Sequence, residues 1–327
     1  RSDRYIDVER EFGRLLDQGL GNPSSVHRFG QRAKDVIERA REQIASALGA
    51  EPQTIVFTSG GTESNNLALF GRARAARPGG RLVTSTIEHP SVLRAADALE
   101  RRGWAVHRVR VGGSGVVDPD DVGAALTDDT FLCSVQVANH ETGALQPIDE
   151  IAARCRRRGI AFHADAVQAF GKMPLSHSTL PVDLLSVSAH KIGGPSVSGA
   201  LVVRRSTALD PLLYGGGQER GLRPGTESLL AIAGFGAAAE ELSDPAAMSA
   251  EHERIRALTE RLGAAILDGG LGAVLNGPSA ATARLSNTLN VSFAGVDGHL
   301  LVVALDLEGI CASSGSDAFW TYHTSSA

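Results

Sequence analysis

The sequence is short of cysteine, of aromatic side chains and of surplus positive charge, and each shortage removes a class of protein. Cys133, Cys155 and Cys311 are an odd count without metal-ligand spacing, which excludes a disulfide scaffold or a zinc module. With 32 basic against 37 acidic residues the formal charge is −5, so direct nucleic-acid binding is not expected. No apolar run reaches the roughly 18 residues of a membrane span; the longest, at 229–239, is interrupted by Gly234 and Gly236. The chain opens Arg1-Ser2-Asp3-Arg4 with no apolar segment behind it, unlike a secretion signal. The expectation is a soluble cytoplasmic protein with reduced thiols and no membrane contact. What is present fits a globular protein: 43% hydrophobic and 21% charged residues rule out wholesale disorder. The 327 residues leave room for one large domain and part of another. Glycine is abundant at 37, which suggests tight turns and backbone-lined sites.

Val26, Phe29, Ala33, Ile37, Ala40, Ile44 and Leu48 recur at three- and four-residue steps and predict a long amphipathic helix. Ser24 or Ser25 is the expected N-cap and Gly49 the stop. Short apolar or β-branched runs at 54–58, 81–85, 105–109, 131–137, 160–163, 184–188 and 199–203 read as strands. Helix-like stretches near 62–76, 91–102, 119–126 and 148–158 alternate with the first five. That alternation predicts an α/β fold with a mainly parallel sheet, whose ligands sit at the carboxyl ends of the strands. After Thr226 come helices at about 227–242 and 248–267, then strand-like runs at 288–293 and 310–313 around a helix near 297–307. The expected division is a large domain over 21–235 and a smaller α+β domain from 1–20 plus 236–327, incomplete at its C-terminal end.

Polar clusters follow five of these strands. Thr58-Ser59-Gly60-Gly61-Thr62-Glu63-Ser64-Asn65-Asn66 opens a helix. Its free N–H groups and the Thr62 hydroxyl suit a phosphate, although an ordinary glycine turn with a threonine cap reads the same way. His163 and Asp165 project to one face of their strand; the carboxylate could bind a metal, cap the next helix or pair with a protonated ring nitrogen. Lys191 follows an apolar strand in a loop with Ser188, His190 and two glycines. A random lysine there is a solvated surface group; a desolvated one suits Schiff-base formation. Glu88-His89-Pro90 and Asn139-His140-Glu141-Thr142-Gly143 follow two further strands. Scattered helix caps would not require such recurrence, and one cofactor cleft would.

As a set, residues 58–66, 88–90, 139–143, 163–168, 188–191 and Arg223-Pro224-Gly225-Thr226-Glu227 resemble the cysteine desulfurases, with Gly21-Asn22-Pro23-Ser24-Ser25-Val26-His27 also similar. The likeness runs from about 21 to 315 in the family's order. These are pyridoxal-phosphate enzymes of the type I fold, in the class V aminotransferase group. The resemblance implies that Lys191 holds pyridoxal 5'-phosphate covalently and that Asp165 keeps its pyridine nitrogen protonated. It implies that His89 stacks on the ring, that Gln168 bonds the phenolate oxygen and that Asn139 lies near it. Gly61, Thr62, Ser188 and His190 would hold the phosphate, with Thr226 reaching that of a neighbouring subunit in a homodimer. The implied activity is sulfur mobilisation from L-cysteine, giving L-alanine and a persulfide for an acceptor protein in iron–sulfur assembly or nucleic-acid thiolation.

The sequence departs from the family at both ends. Ser313-Ser314-Gly315-Ser316 fits the stretch before the family's nucleophile, but Asp317 and Ala318 stand where alanine and cysteine should follow. The alternatives are therefore a C–S lyase or aminotransferase needing no protein thiol, or a catalytically silent scaffold. Cys311 reads as a buried small hydrophobe on a strand, Cys133 as a core-strand residue and Cys155 as a helix residue. Arg4-Tyr5-Ile6-Asp7 is similar to the family's opening strand, but Val8-Glu9-Arg10 does not continue it. Nothing after Phe319 matches the family's carboxylate-gripping arginine.

Overall fold

A computed structural model describes residues 3–19 and 21–315. Its helices are α1 (Asp3–Asp17), α2 (Arg28–Leu48), α3 (Gly61–Ala75), α4 (Pro90–Glu100), α5 (Pro119–Ala125), α6 (Ile148–Arg157), α7 (Leu229–Glu240), α8 (Pro245–Leu267) and α9 (Gly298–Leu307). Its strands are β1 (Ile55–Thr58), β2 (Arg81–Ser85), β3 (Ala105–Val109), β4 (Thr130–Ser134), β5 (Ala161–Asp165), β6 (Leu184–Ser188), β7 (Gly199–Val203), β8 (Ala273–Leu275) and β9 (Val291–Phe293). The first seven strands form one sheet in the order β1-β7-β6-β5-β4-β2-β3. The expected α/β architecture is observed, and the sheet is parallel from β6 through β3. β7 is the exception, antiparallel to both β6 and β1. Only residues 189–198 join β6 to β7, too few for the crossover a parallel neighbour needs. Because two antiparallel pairings separate them, β1 points the same way as β6.

β1, β4, β6 and β7 are mostly apolar and buried along their whole length, as a sheet covered by helices on both sides requires. One layer packs α2 and α7 on the sheet through Ile37, Ile44, Ile232 and Phe235; the other packs α3 and α4 through Leu67, Leu69, Val92 and Leu99. α7 lies so close to α2 that a Cβ on Gly236 would come 2.7 Å from Ala40 Cα. The expected strand 131–137 ends early, yet its last part still bonds along β5, Val135 N–H to His163 O and Val137 N–H to Asp165 O.

Three expectations are corrected. Residues 4–7 lie within helix α1 instead of opening a strand: Val8, Phe12 and Leu15 recur at helical spacing, with Val8 and Leu15 buried. α2 starts at Arg28, and its N-cap is His27, whose ring accepts from Gly30 N–H, not Ser24 or Ser25. No strand forms at 310–313. Gly309 turns the chain left-handed after α9, β8 pairs with β9 alone among the described residues, and Cys311 is exposed, not buried. Cys133 and Cys155 are buried on β4 and α6 as read. Asp317, Ala318 and Phe319 lie outside the described residues. Among the described residues no helix is long and apolar enough to cross a membrane.

Candidate active site

β1, β2, β4, β5 and β6 share one direction, and the residues that follow them surround a single cavity of about 610 Å³. One end of it suits an anion. Gly60, at φ +144, turns the chain from β1 into α3 in a conformation that favours glycine. As N-cap it has no side chain to close the first-turn N–H groups, which leaves them open to an anion at the positive end of the helix dipole. Glycine is needed at 61 as well, because a Cβ there would come 2.6 Å from Val167 Cγ2. Ser188 and His190 lie beside this end, with Ser188 Oγ 2.8 Å from His190 Nδ1. Lys191 follows in a tight turn over Ala189–Ile192, closed by Gly193 at φ +85.

The cavity also holds a buried carboxylate. Asp165 ends β5 and accepts hydrogen bonds from Val167 N–H (2.9 Å) and Asn65 Nδ2 (2.6 Å). Burial pushes its carboxyl above the usual carboxylate range, against the pull of those two donors. Next to it, His89 caps α4 by accepting from Ser91 N–H, and its ring meets His140 edge-on at 5.3 Å. Burial holds the pKa of both histidines down. Gln168 lines the cavity while its Oε1 accepts from Lys172 Nζ at 2.8 Å. Burial and the positive charge of Lys191 push Lys172 down to about 8.

Two further buried groups support the strand ends. Glu88 is pushed up to about 8 by burial, although Ser85 Oγ (2.5 Å) and Gln136 N–H (3.1 Å) both donate to its Oε1. His163 is pushed down to about 3 by burial and bridges Ser134 and Ser186 across three strands. Their linkage to stability has opposite signs. Folded Glu88 keeps a proton that the unfolded chain releases, so its contribution is lost as pH rises from 4.5 towards 8. Folded His163 refuses a proton that the unfolded chain takes, so its contribution is lost as pH falls from 6.5 towards 3. Each slope is on the order of 1 kcal/mol per pH unit. Stability should therefore be flattest between about 4.5 and 6.5, where the two slopes oppose. Glu88→Gln should flatten the alkaline fall, checked by urea denaturation at pH 5.5 and 8; an equal fall in both proteins would contradict this.

The Aminotransferase class-V family model matches residues 5–325. The cysteine desulfurase IscS of Dictyoglomus turgidum is 43% identical over 303 residues, 92% of this chain and 76% of that protein. The cysteine desulfurase of Trichormus azollae is 44% identical over 303 residues, 92% of this chain and 74% of that protein. The chain belongs to the cysteine desulfurase family. Solved structures agree: a NifS-like protein from Rickettsia africae superposes with a TM-score of 0.87 at 34% identity, covering 97% of this chain and 86% of that one. SspA, solved in complex with cysteine, gives 0.81 at 35% identity, covering 97% and 88%.

Of the residues expected at a cysteine desulfurase site, the structure brings Gly61, Thr62, His89, Asp165, Gln168, Ser188, His190 and Lys191 to the cavity. Two are placed elsewhere. Asn139 is buried behind the wall, its Nδ2 on Ile87 O and its Oδ1 accepting from Glu141 N–H and Thr142 N–H. Thr226 is exposed on the loop before α7. Asn65, Ser91, Gln136 and His140 also line the cavity, with no role assigned from sequence. The signal for His140 was available: it follows β4 within the same polar cluster as Asn139. Asn65 and Ser91 are buried polar residues on α3 and α4; Asn65 lies within the polar cluster 58–66 and Ser91 just after the one at 88–90.

The residues fit pyridoxal phosphate, the cofactor of this class of enzyme. Asn65 Oδ1 and His140 Nδ1 are buried without a hydrogen-bond partner among the described residues. The buried Asp165 would gain a cationic partner from a pyridinium, and the glycine-opened helix would gain an anion.

Proposed function

We propose that the chain takes sulfur from L-cysteine, leaves L-alanine, and passes the sulfur on as a persulfide to an acceptor protein. The observation that carries this reading is that Lys191 and the buried Asp165 line the same cavity as the uncapped start of α3. Lys191 would hold pyridoxal phosphate covalently and afterwards move the proton at the substrate's Cα. Asp165 would hold the pyridine nitrogen protonated, His89 would cover the ring and Gln168 would contact the phenolate oxygen. The first turn of α3 with Thr62, Ser188 and His190 would hold the phosphate. When bound, the cofactor supplies an electron sink for the negative charge developing at Cα. Asn139 serves this site by holding the His89 loop through Ile87 O. Thr226, with exposed Leu213 and Tyr214 in the preceding loop, supports a homodimer in which it reaches the partner's phosphate. A cytoplasmic setting goes with the reduced cysteines of this reading.

Ala318, at the family's thiol position, favours a second reading: a lyase that cleaves C–S bonds without a protein thiol. Product analysis separates the two. The protein loaded with pyridoxal phosphate and given L-cysteine with a thiol acceptor should form alanine, and Ala318→Cys should raise that rate at least tenfold. Pyruvate with sulfide would support the lyase, and cofactor binding without any product would leave only a silent scaffold.

A further inference from the structure

The hydrogen bonds around His89 have only one self-consistent set of directions. The Ser91 backbone N–H lies 3.1 Å from His89 Nδ1, and an amide N–H can only donate, so Nδ1 carries no proton. Ser91 Oγ is 2.7 Å from the same nitrogen, so its hydroxyl must donate to it. The lone pairs of that hydroxyl then accept from Asn65 Nδ2 at 2.9 Å. The second hydrogen of Asn65 Nδ2 goes to Asp165 Oδ2 at 2.6 Å. An ionised Asp165 offers only acceptors, which fixes the amide with its nitrogen towards both partners. Nothing in this chain of bonds touches His89 Nε2.

We propose that Ser91 and Asn65 are positioning residues that lock His89 as the neutral tautomer protonated at Nε2 and tie its ring to the Asp165 carboxylate. The ionised state of Asp165 rests on the function proposed above; the unprotonated Nδ1 rests on the backbone contact alone. The imidazolium is disfavoured because a proton on Nδ1 breaks the α4 cap and forces the Ser91 hydroxyl to turn from donor to acceptor. The charged and titratable groups facing the ring are Asp165 from β5, Lys191 from the turn after β6 and His140 from the loop after β4. Burial and Lys191 act with the lock, while Asp165 acts against it. His89 accordingly enters any reaction as an N–H donor. It can accept a proton only after giving one, so it serves a developing negative charge and not the removal of a first proton.

The test is nitrogen NMR on protein labelled with ¹⁵N at histidine, with His89→Asn identifying the signal. Wild-type protein should show an unprotonated Nδ1 and a protonated Nε2 from pH 6 to 9, with or without added pyridoxal phosphate. Ser91→Ala should raise the apparent pKa of His89 by about one unit and admit the other tautomer, because the neutral form loses a donor. Ser91→Thr, which keeps the hydroxyl, should behave as wild type. A proton on Nδ1 in wild type would overturn the proposal, as would Ser91→Ala matching wild type in both tautomer and pKa. The wild-type measurement decides even where a variant folds poorly. Failure to take up pyridoxal phosphate is a separate result: it sinks the functional reading and leaves the tautomer measurable.

Discussion

Lys191→Ala should abolish covalent capture of pyridoxal phosphate and lower alanine formation by at least about 10⁴-fold, since nucleophile and proton carrier are lost together. The readout is the intact mass after incubation with the cofactor and borohydride reduction. Wild-type protein should gain one pyridoxyl group on the peptide containing Lys191, and the variant none. The contrast with Lys172 makes this specific. Lys172 is the other half-buried lysine near the cavity, and its lowered pKa alone would make it a competing nucleophile. Its Nζ is committed to Gln168 Oε1, however, and only Lys191 lines the cavity. A pyridoxyl group on the Lys172 peptide, or one that survives in Lys191→Ala, would refute the assignment.

Much of this site was legible because the chemistry sits where the apolar pattern breaks. A parallel strand buried on both faces is an unbroken apolar run, so its first polar residues mark the carboxyl edge where ligands bind. His89, Asp165, Ser188 and Lys191 were all found that way. What escaped are residues whose meaning depends on tertiary packing. Asn65 and Ser91 are short polar residues within helices, and they become functional candidates only when α3 and α4 meet Asp165 and His89. Asn139 shows the converse. Its cluster was visible, yet the loop's own N–H groups and Ile87 O use its amide, and no sequence pattern records that competition. The strand expected around Cys311 does not form: among the described residues β8 and β9 pair only with each other, and residues 310–313 stay exposed with no burial to favour pairing.

The second large effect concerns the ground on which the phosphate end stands. Arg41 of α2 and Glu219, in the turn after β7, form a bidentate pair, Nη2–Oε1 2.7 Å and Nη1–Oε2 3.0 Å, with side chains 7% and 2% exposed. The same Glu219 carboxylate accepts from Phe57 N–H at 2.8 Å, and Arg41 also donates to Ile55 O at 2.8 Å. The pair thus clamps β1 just before Ser59 and Gly60. It also holds Glu219 and Arg220 in left-handed backbone conformations, at φ +47 and +59, that neither would choose. Removing Glu219 leaves the buried Arg41 charge with only the half-exposed Glu38, 3.2 Å from its Nε, and leaves the Phe57 amide unpaired. Glu219→Ala should therefore cost about 3–5 kcal/mol in urea denaturation, a large share of a typical domain's 5–15. The double variant Arg41→Met with Glu219→Leu should recover much of that loss, because no ion remains stranded, while Phe57 N–H stays unpaired. Pyridoxal phosphate affinity should weaken in Glu219→Ala more than in the double variant, since β1 delivers Gly60 and Gly61 to the anion end. A loss below about 1 kcal/mol in Glu219→Ala would mean that water reaches Arg41 and that the clamp is not closed.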